Sequence, residues 1–173
     1  MHNKPSVSPD AVSGAAVPRD LEMLRTAIRL AEESRADGRH PFAAIVVDAG
    51  GGIVAQAFNN SRPPQGDPTQ HAELRAAAMA AGKLSPSELA KSTLYTSAEP
   101  CCMCAGAIYW CGIGRVVYGL SEEKLLGITG SHPENPTLSL PCRTVFASGQ
   151  RPTEAIGPLL EDEAARAHLG FWK

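Results

Sequence analysis

The chain has 173 residues, of which 43% are hydrophobic and 20% are charged, a size and composition typical of one globular domain and not of a disordered protein. Its net charge of −2 argues against a protein that binds polyanions over a broad surface. No apolar run approaches the roughly eighteen residues of a membrane-spanning helix, and the first twenty residues lack the apolar core of a signal peptide, so we expect a cytoplasmic protein.

The first part of the chain predicts a flexible segment, a helix and a β-hairpin. Residues 1–18 are rich in Pro, Ser and Gly and are expected to be flexible. Apolar residues at helical spacing follow, with Asp20 as the predicted N-cap and Gly38 as the predicted stop. Residues 41–48 form a continuous apolar run that predicts a buried strand, and residues 53–59 predict its hairpin partner.

The rest of the chain predicts strands that alternate with helices. Asp67 or Thr69 is expected to begin an Ala-rich helix over residues 71–82. Further strands are predicted over residues 92–97, 115–120 and 143–147, further helices over residues 100–111, 121–127 and 161–172, and a loop over residues 129–141. This alternation predicts that residues 19–173 form a single α/β domain, a three-layer α/β/α sandwich around a mixed, mostly parallel sheet.

The cysteines point to a metal site. Four of the five lie within residues 101–111, a clustering that favours metal binding or catalysis over the disulfides of a secreted fold. Cys101 and Cys104 are three residues apart at a predicted helix start, where they share a face and where unpaired N–H groups favour thiolates. With His71 they offer three protein ligands, the number typical of a catalytic zinc that also holds a water. Glu73 can then reach that water and move its proton.

Other interpretations of the same cysteines stay open. A C-x-x-C pair alone can be a redox pair, and a structural zinc would need a fourth protein ligand, which the spacing does not offer. The remaining cysteines are expected to pack as small apolar residues: Cys102, Cys111 and Cys142.

Two motifs carry a family resemblance. "HAE" at residues 71–73, followed by "PCCMC" at residues 100–104, resembles the H-x-E…P-C-x-x-C signature of the zinc-dependent nucleobase deaminases. The stretches "DPTQHAE", "TLYTSAEPCCMCAGAIYW" and "RVVYG" follow in family order, and the likeness extends from about Leu21 to Leu169. The resemblance implies a cytidine-deaminase-like fold with a five-stranded sheet, and usually a homodimer.

The resemblance also implies a mechanism. One zinc per subunit would be held by His71, Cys101 and Cys104, and zinc-bound hydroxide would attack the ring carbon that bears the amine, with Glu73 as the proton shuttle. The predicted activity is therefore zinc-dependent hydrolytic deamination of a free nucleobase or nucleoside.

Candidate substrate contacts follow from the same resemblance. Asn60 aligns with an asparagine that hydrogen-bonds the base, and the backbone N–H of Ala72 is a candidate donor to a substrate carbonyl. Phe42 is a candidate for stacking on the ring. Tyr109 and Trp110 resemble the pair that bacterial guanine deaminases carry after the zinc cysteines, whereas the tRNA adenosine deaminases carry a polar, basic segment there.

Guanine is therefore the expected substrate, and nucleic acid is not an expected partner. The region after the fourth predicted strand departs from the guanine-deaminase pattern, because Glu134 is acidic but does not occupy the matching position. The alternatives are a tRNA-specific adenosine deaminase, a deaminase of another aminated ring such as cytosine, cytidine, a triazine or a pterin, and a zinc-stabilised binding module without turnover.

Overall fold

A five-stranded mixed sheet lies at the centre of residues 15–173, the part of the chain that the computed structural model describes. Most of the segment predicted to be flexible, residues 1–14, lies outside the described residues. The strands are β1 (Ala43–Val47), β2 (Ile53–Phe58), β3 (Thr93–Ala98), β4 (Arg115–Leu120) and β5 (Glu154–Ile156).

The strand order across the sheet is β2-β1-β3-β4-β5. Strand β1 runs antiparallel to both of its neighbours, whereas β3, β4 and β5 pair in parallel. Four of the five strands therefore point in the same direction, which confirms the predicted mixed, mostly parallel sheet.

Helices cover both faces of this sheet. They are α1 (Pro18–Ala36), α2 (Ala72–Ala81), α3 (Pro86–Leu89), α4 (Cys102–Cys111), α5 (Glu122–Thr129), α6 (Cys142–Ala147) and α7 (Glu161–Ala165), followed by a 3₁₀ turn at Arg166–His168. Because alternate side chains of a strand face opposite sides, β1 places Ile45 in an apolar core with α1 and α7, and Val46 in a second core with α2, α4 and α6. The three-layer sandwich is confirmed.

None of the described helices combines the length and the apolar character that crossing a bilayer requires.

Helix α1 begins earlier than predicted, and Asp20 is not its N-cap. Val17 is the capping position, and Asp20 is the third helical residue, whose carboxylate accepts the Val17 N–H at 2.8 Å. Pro18 occupies the first helical position, where its missing N–H costs no hydrogen bond. The prediction was wrong because Asp20 faces inward and contacts the sheet as well as the helix start.

Helix α2 also begins at a different residue from the one predicted. Its N-cap is His71, while Asp67 accepts the Thr69 N–H at 2.8 Å and so closes a turn within the preceding loop. Helix α4 likewise begins after Cys101, so that Pro100 precedes the N-cap instead of lying in the first turn. Both shifts place a predicted metal ligand at the capping position.

The prediction of a strand over residues 143–147 is wrong, because these residues belong to helix α6. Val145 and Phe146 favour strands by propensity, but Cys142 and Phe146 are four residues apart and both buried, which is the periodicity of a helix face. The edge position of the sheet is taken by β5, whose three residues are too short for a recognisable alternation.

Candidate active site

Two helix starts meet on the same face of the sheet. His71 is the N-cap of α2 and Cys101 is the N-cap of α4, both with extended backbone (φ −70°, ψ 152° and φ −62°, ψ 167°). Neither side chain caps its own helix. The imidazole and the thiol instead meet the Sγ of Cys104, which lies in the first turn of α4. The positive ends of both helix dipoles therefore converge where thiolates are needed.

The geometry of these three residues fits zinc. Their ligand atoms all lie within 4.8 Å of one another, and Cys101 Sγ is 3.6 Å from His71 Nδ1. Sulfur and nitrogen ligands of a tetrahedral zinc, at about 2.3 Å and 2.0 Å from the metal, are about 3.5 Å apart. Cys104 is fully buried and the other two are half-buried. Three protein ligands leave the fourth position free, as in catalytic zinc sites.

Hydrogen bonds within the group prepare it for a cation. The hydrogen bond from Cys104 and the neighbouring His71 lower the pKa of Cys101 to about 4, although burial opposes this shift. The hydrogen bond with Cys101, and then burial, raise the pKa of Cys104. The hydrogen bond between His71 and Cys101 raises the pKa of His71. A zinc held by these residues would replace the proton on Cys104, because a metal-binding thiol must be deprotonated.

Glu73 lies beside this group without belonging to it. Its side chain is buried, with Oε1 accepting a hydrogen bond from Thr96 Oγ1 at 2.8 Å and Oε2 3.6 Å from Cys104 Sγ. Burial raises the pKa of the Glu73 carboxyl above its ordinary value. A carboxyl whose burial favours its protonated form therefore stands next to the position where a metal-bound water would lie.

A cavity of about 700 Å³ opens over the group. Besides His71, Glu73 and Cys101, its lining includes Phe42, Asn59, Arg62, Glu99, Glu122 and Glu134. Burial, then the Cys101 thiolate and Glu99, raises the pKa of Glu122 to about 7. With Glu73, four carboxyl groups face the cavity. The lining therefore favours a ligand rich in N–H donors over an anion.

The two neighbouring asparagines have different positions. Asn60, the predicted base contact, points away from the cavity and bonds Arg39 at 2.6 Å and Gln70 at 2.5 Å. Asn59 lines the cavity, is 3% exposed, and uses its Oδ1 to accept the Ser61 N–H at 2.9 Å. The Asn59 Nδ2 makes no hydrogen bond within residues 15–173, so it is free to donate to a ligand.

The other predicted contacts divide into two groups. Phe42 lines the cavity, and its ring packs on the His168 ring at 5.0 Å. Ala72 is buried at the first position of α2, with its side chain in the apolar core, so that a role for its backbone N–H stays a prediction.

Tyr109 and Trp110 do not line the cavity. Five and six residues after Cys104, they lie about 140° and 240° around α4 from that ligand. The Tyr109 hydroxyl accepts the Gln150 N–H at 3.0 Å, and Trp110 is 76% exposed.

Several residues of the site were not predicted. Glu99 lies within the stretch "TLYTSAEPCCMCAGAIYW" directly after β3, and Glu122 is the first residue of α5, but no spacing in the sequence shows that both reach the same cavity. Thr96 could have been found, since the alternation of β3 puts it on the same buried face as Leu94 and a polar side chain there is unusual.

Comparison with known proteins agrees with this geometry. The model of the "Cytidine and deoxycytidylate deaminase zinc-binding region" matches residues 18–120. The "Probable cytosine deaminase" of Schizosaccharomyces pombe is 44% identical over 154 residues, which cover 89% of this chain and 93% of that protein. A tRNA-specific adenosine deaminase of Haemophilus influenzae is 42% identical over 112 residues, covering 65% and 64% of the two chains. Among solved structures, a guanine deaminase from Nitrosomonas europaea superimposes with a TM-score of 0.69 at 26% identity, covering 88% and 83%.

Proposed function

Because the chain belongs to the zinc-binding cytidine and deoxycytidylate deaminase family, we propose that it removes the amino group of a free pyrimidine base by hydrolysis, with cytosine as the preferred substrate. The meeting of His71, Cys101, Cys104 and Glu73 supports the reaction. The near full-length similarity to the S. pombe protein is the observation that carries the choice of cytosine.

In the proposed reaction, one group of residues binds the zinc and Glu73 transfers the proton. His71, Cys101 and Cys104 would hold the zinc, which lowers the pKa of a bound water so that it can act as a nucleophile at neutral pH. Glu73 accepts a proton on the oxygen that faces the ligand group and returns it to the departing nitrogen, so that ammonia leaves as a neutral molecule. Its burial raises the pKa of the Glu73 carboxyl above the ordinary value, so that it holds an accepted proton more readily than an exposed glutamate does.

Two residues of the cavity are suited to orient a pyrimidine. The free Nδ2 of Asn59 can donate to a ring carbonyl, and the ring of Phe42, held by His168, can stack against a flat base. The carboxyl groups of Glu99 and Glu122 can accept ring or exocyclic N–H groups. A neutral base with several N–H donors matches this lining.

Guanine is the second candidate. The cavity of about 700 Å³ is large enough for a purine, and the likeness to the N. europaea guanine deaminase favours it. Tyr109 and Trp110 do not support guanine as the substrate, because neither residue lines the cavity.

RNA is a weaker candidate, in spite of the similarity to the H. influenzae enzyme. Among the residues that the structure describes, four carboxyl groups line the cavity and Arg62 is the one lysine or arginine side chain in its lining. Such a surface repels the phosphates that flank a base in RNA.

A homodimer is a further proposal, supported by the family resemblance and by the exposed Trp110 ring. Analytical ultracentrifugation of the wild type and of Trp110→Ala tests it: a dimer that Trp110→Ala weakens is the expected result. A cytoplasmic location stays a prediction from the sequence.

Ammonia release from a panel of rings tests the proposed function. Zinc-loaded protein is incubated with cytosine, cytidine, guanine, guanosine, adenine and an aminotriazine at equal concentration, and with a tRNA. We expect the highest kcat/KM for cytosine. Preference for guanine would replace the substrate but keep the reaction, whereas no release from any of them would contradict the deaminase itself.

Glu73→Gln is the matched control. It keeps the size of the side chain but cannot accept and return a proton. We expect it to retain one zinc per chain by metal analysis and to lose at least about a hundredfold in kcat. A fully active Glu73→Gln protein would contradict the role of Glu73.

A further inference from the structure

We propose that Thr96 is a positioning residue for Glu73: its hydroxyl fixes one carboxyl oxygen so that the other faces the metal-ligand candidates. This inference rests on the proposed deaminase function. Thr96 does not line the cavity and is not one of the three metal-ligand candidates, so that it acts through Glu73 and not on the substrate.

The position of Thr96 in the sheet aims its side chain at Glu73. Thr96 lies in the middle of β3, paired with Ala44 of β1 and Tyr118 of β4, and is 0% exposed. Its Oγ1 is 2.8 Å from Glu73 Oε1. A central strand paired on both sides is among the most rigid parts of a domain, and a β-branched side chain has restricted χ1 freedom. Thr96 therefore offers Glu73 a fixed donor.

The two oxygens of Glu73 are thereby distinguished. Oε1 faces the Thr96 hydroxyl, whereas Oε2 lies 3.6 Å from Cys104 Sγ, on the side of the metal ligands. Within residues 15–173, the side chains that hydrogen-bond this carboxyl are those of Thr96 and Cys104. Thr96 makes the shorter of the two contacts, 2.8 Å against 3.6 Å, and is the one of the two that is not a metal-ligand candidate.

The Thr96 hydroxyl has one proton and two acceptors within reach, Glu73 Oε1 at 2.8 Å and the Ala98 carbonyl at 3.0 Å. Glu73 Oε1 is the nearer of the two, and a carboxyl oxygen is the stronger acceptor when it is charged. The hydroxyl therefore donates to Oε1, which leaves Oε2 on the side of the metal-ligand candidates.

Two substitutions of Thr96 distinguish the effect of its hydroxyl group from the effect of its side-chain shape. Thr96→Val keeps the volume and the branching but removes the donor, while Thr96→Ser keeps the donor. We expect Thr96→Val to lower kcat about 10- to 100-fold with KM within about twofold, as for other residues that orient a reacting group. Thr96→Ser should restore kcat to within about threefold of the wild type. An equal loss in both variants, or none in Thr96→Val, would overturn the proposal.

Ser97→Ala is the matched control. Ser97 is the next residue of β3, is equally buried, and accepts the Ala43 N–H at 3.2 Å on its hydroxyl. Removing it deletes a buried hydroxyl from the same strand without touching Glu73. We expect Ser97→Ala to cost stability but to leave kcat within about twofold, and a loss as large as that of Thr96→Val would mean that the strand as a whole is being perturbed.

A second readout does not depend on turnover. Infrared spectra of the zinc-loaded proteins contain a Glu73 carboxyl band that is identified by its absence in Glu73→Gln. We expect Thr96→Val to shift this band, because a hydrogen bond to Oε1 is lost, and Thr96→Ser and Ser97→Ala to leave it in place. An unshifted band in Thr96→Val contradicts the inference even if the wild type deaminates no ring, whereas a shifted band with an inactive wild type contradicts only the proposed function. If Thr96→Val does not fold, Thr96→Ala takes its place in both measurements.

Discussion

Asn59 and Asn60 are adjacent residues of the same type with different surroundings. The Asn60 amide is held by Arg39 and Gln70 outside the cavity, so that its polar atoms are already satisfied. The Asn59 amide is anchored through Oδ1 by Ser61 and keeps a free Nδ2 inside the cavity. A ligand in the cavity can therefore reach Asn59 but not Asn60.

Replacing each asparagine by alanine tests this assignment. Asn59→Ala removes a donor to the substrate carbonyl, worth about 1.5 kcal/mol, and should lower kcat/KM about tenfold. Asn60→Ala removes only loop contacts and should leave kcat/KM within about twofold. Steady-state ammonia release, with thermal unfolding to confirm that both variants fold, decides between them. The reverse pattern would restore Asn60 as the base contact.

The grouping of the three metal-ligand candidates could be predicted from the sequence, whereas the position of Asn60 relative to the cavity could not. His71, Cys101 and Cys104 lie at helix starts, where three-residue spacing fixes their relation. Asn60 was assigned through the family resemblance, which aligns it with a base-binding asparagine, and a loop without regular structure separates it from His71. The path of such a loop depends on contacts such as the Asn60 N–H to the Gln70 carbonyl at 2.9 Å, which no periodicity encodes.

One carboxylate joins helix α1 to the centre of the sheet. Asp20 caps the Val17 N–H, accepts the Tyr95 hydroxyl at 2.9 Å, and receives both Nη groups of Arg115 at 2.6 Å and 2.7 Å. Burial opposes ionisation of Asp20, but the Arg115 hydrogen bonds prevail and lower its pKa. The pair therefore stabilises the fold above the unfolded-state pKa of Asp20 and ceases to do so as the pH falls through the lower folded-state value.

Asp20→Asn should destabilise the protein by about 3 kcal/mol, because it leaves the Arg115 guanidinium without its buried partner. The free energy of unfolding in urea at pH 7.5 is the measurement. Glu22→Gln is the control, since Glu22 is an exposed acidic residue of the same helix, and it should change the free energy by less than about 0.5 kcal/mol. Equal effects of the two variants would mean that the ion pair contributes nothing specific.

Among the helices and strands, the sequence pattern predicted those whose side chains are buried in a regular way. The strands β1, β3 and β4 are buried on both faces. Strands β1 and β4 read as mainly apolar runs and β3 as a short stretch with Thr and Tyr, residues that favour strands, so all three were found. Helix α6 was mistaken for a strand, since six residues give a helix little more than one turn in which to show its period. Its identity is set by Cys142 and Phe146 packing below α4, which is a tertiary effect.

For the molecule as a whole, the metal site links two of the helices that cover one face of the sheet, α2 and α4. His71 begins α2, while Cys101 and Cys104 begin α4. A metal that binds the folded chain in preference to the unfolded one raises the free energy of unfolding. The increase is about 2.7 kcal/mol when the free metal concentration is one hundred times the dissociation constant. Chelation should therefore lower the unfolding temperature of the wild type but not that of Cys104→Ala, as measured by circular dichroism. An unfolding temperature independent of chelator would contradict a metal bound by the folded state.

Protonation of His168 should couple pH to the stability of the whole domain. This residue is 1% exposed, its Nδ1 accepts the Trp172 indole N–H at 3.2 Å, and its Nε2 has no partner within the described chain. Burial first, then the charges of Arg35 and His40, lowers its pKa to about 4. The unfolded chain therefore binds more protons than the folded one between about pH 6.5 and pH 4, so stability falls as the pH falls through that window.

For His168 alone, an unfolded-state pKa of about 6.5 and a folded-state pKa of about 4 correspond to a loss of about 2 kcal/mol in the free energy of unfolding between pH 7.5 and pH 5. Urea unfolding at the two pH values, in the wild type and in His168→Gln, isolates this contribution: the glutamine keeps a polar side chain but does not titrate. We expect the variant to be less stable at pH 7.5, because packing around Phe42 and Trp172 is lost, yet to lose about 2 kcal/mol less on acidification. His132→Gln, in the half-exposed loop, should lose as much as the wild type. Parallel losses in the wild type and His168→Gln would show that His168 is not the buried neutral imidazole that its contacts indicate.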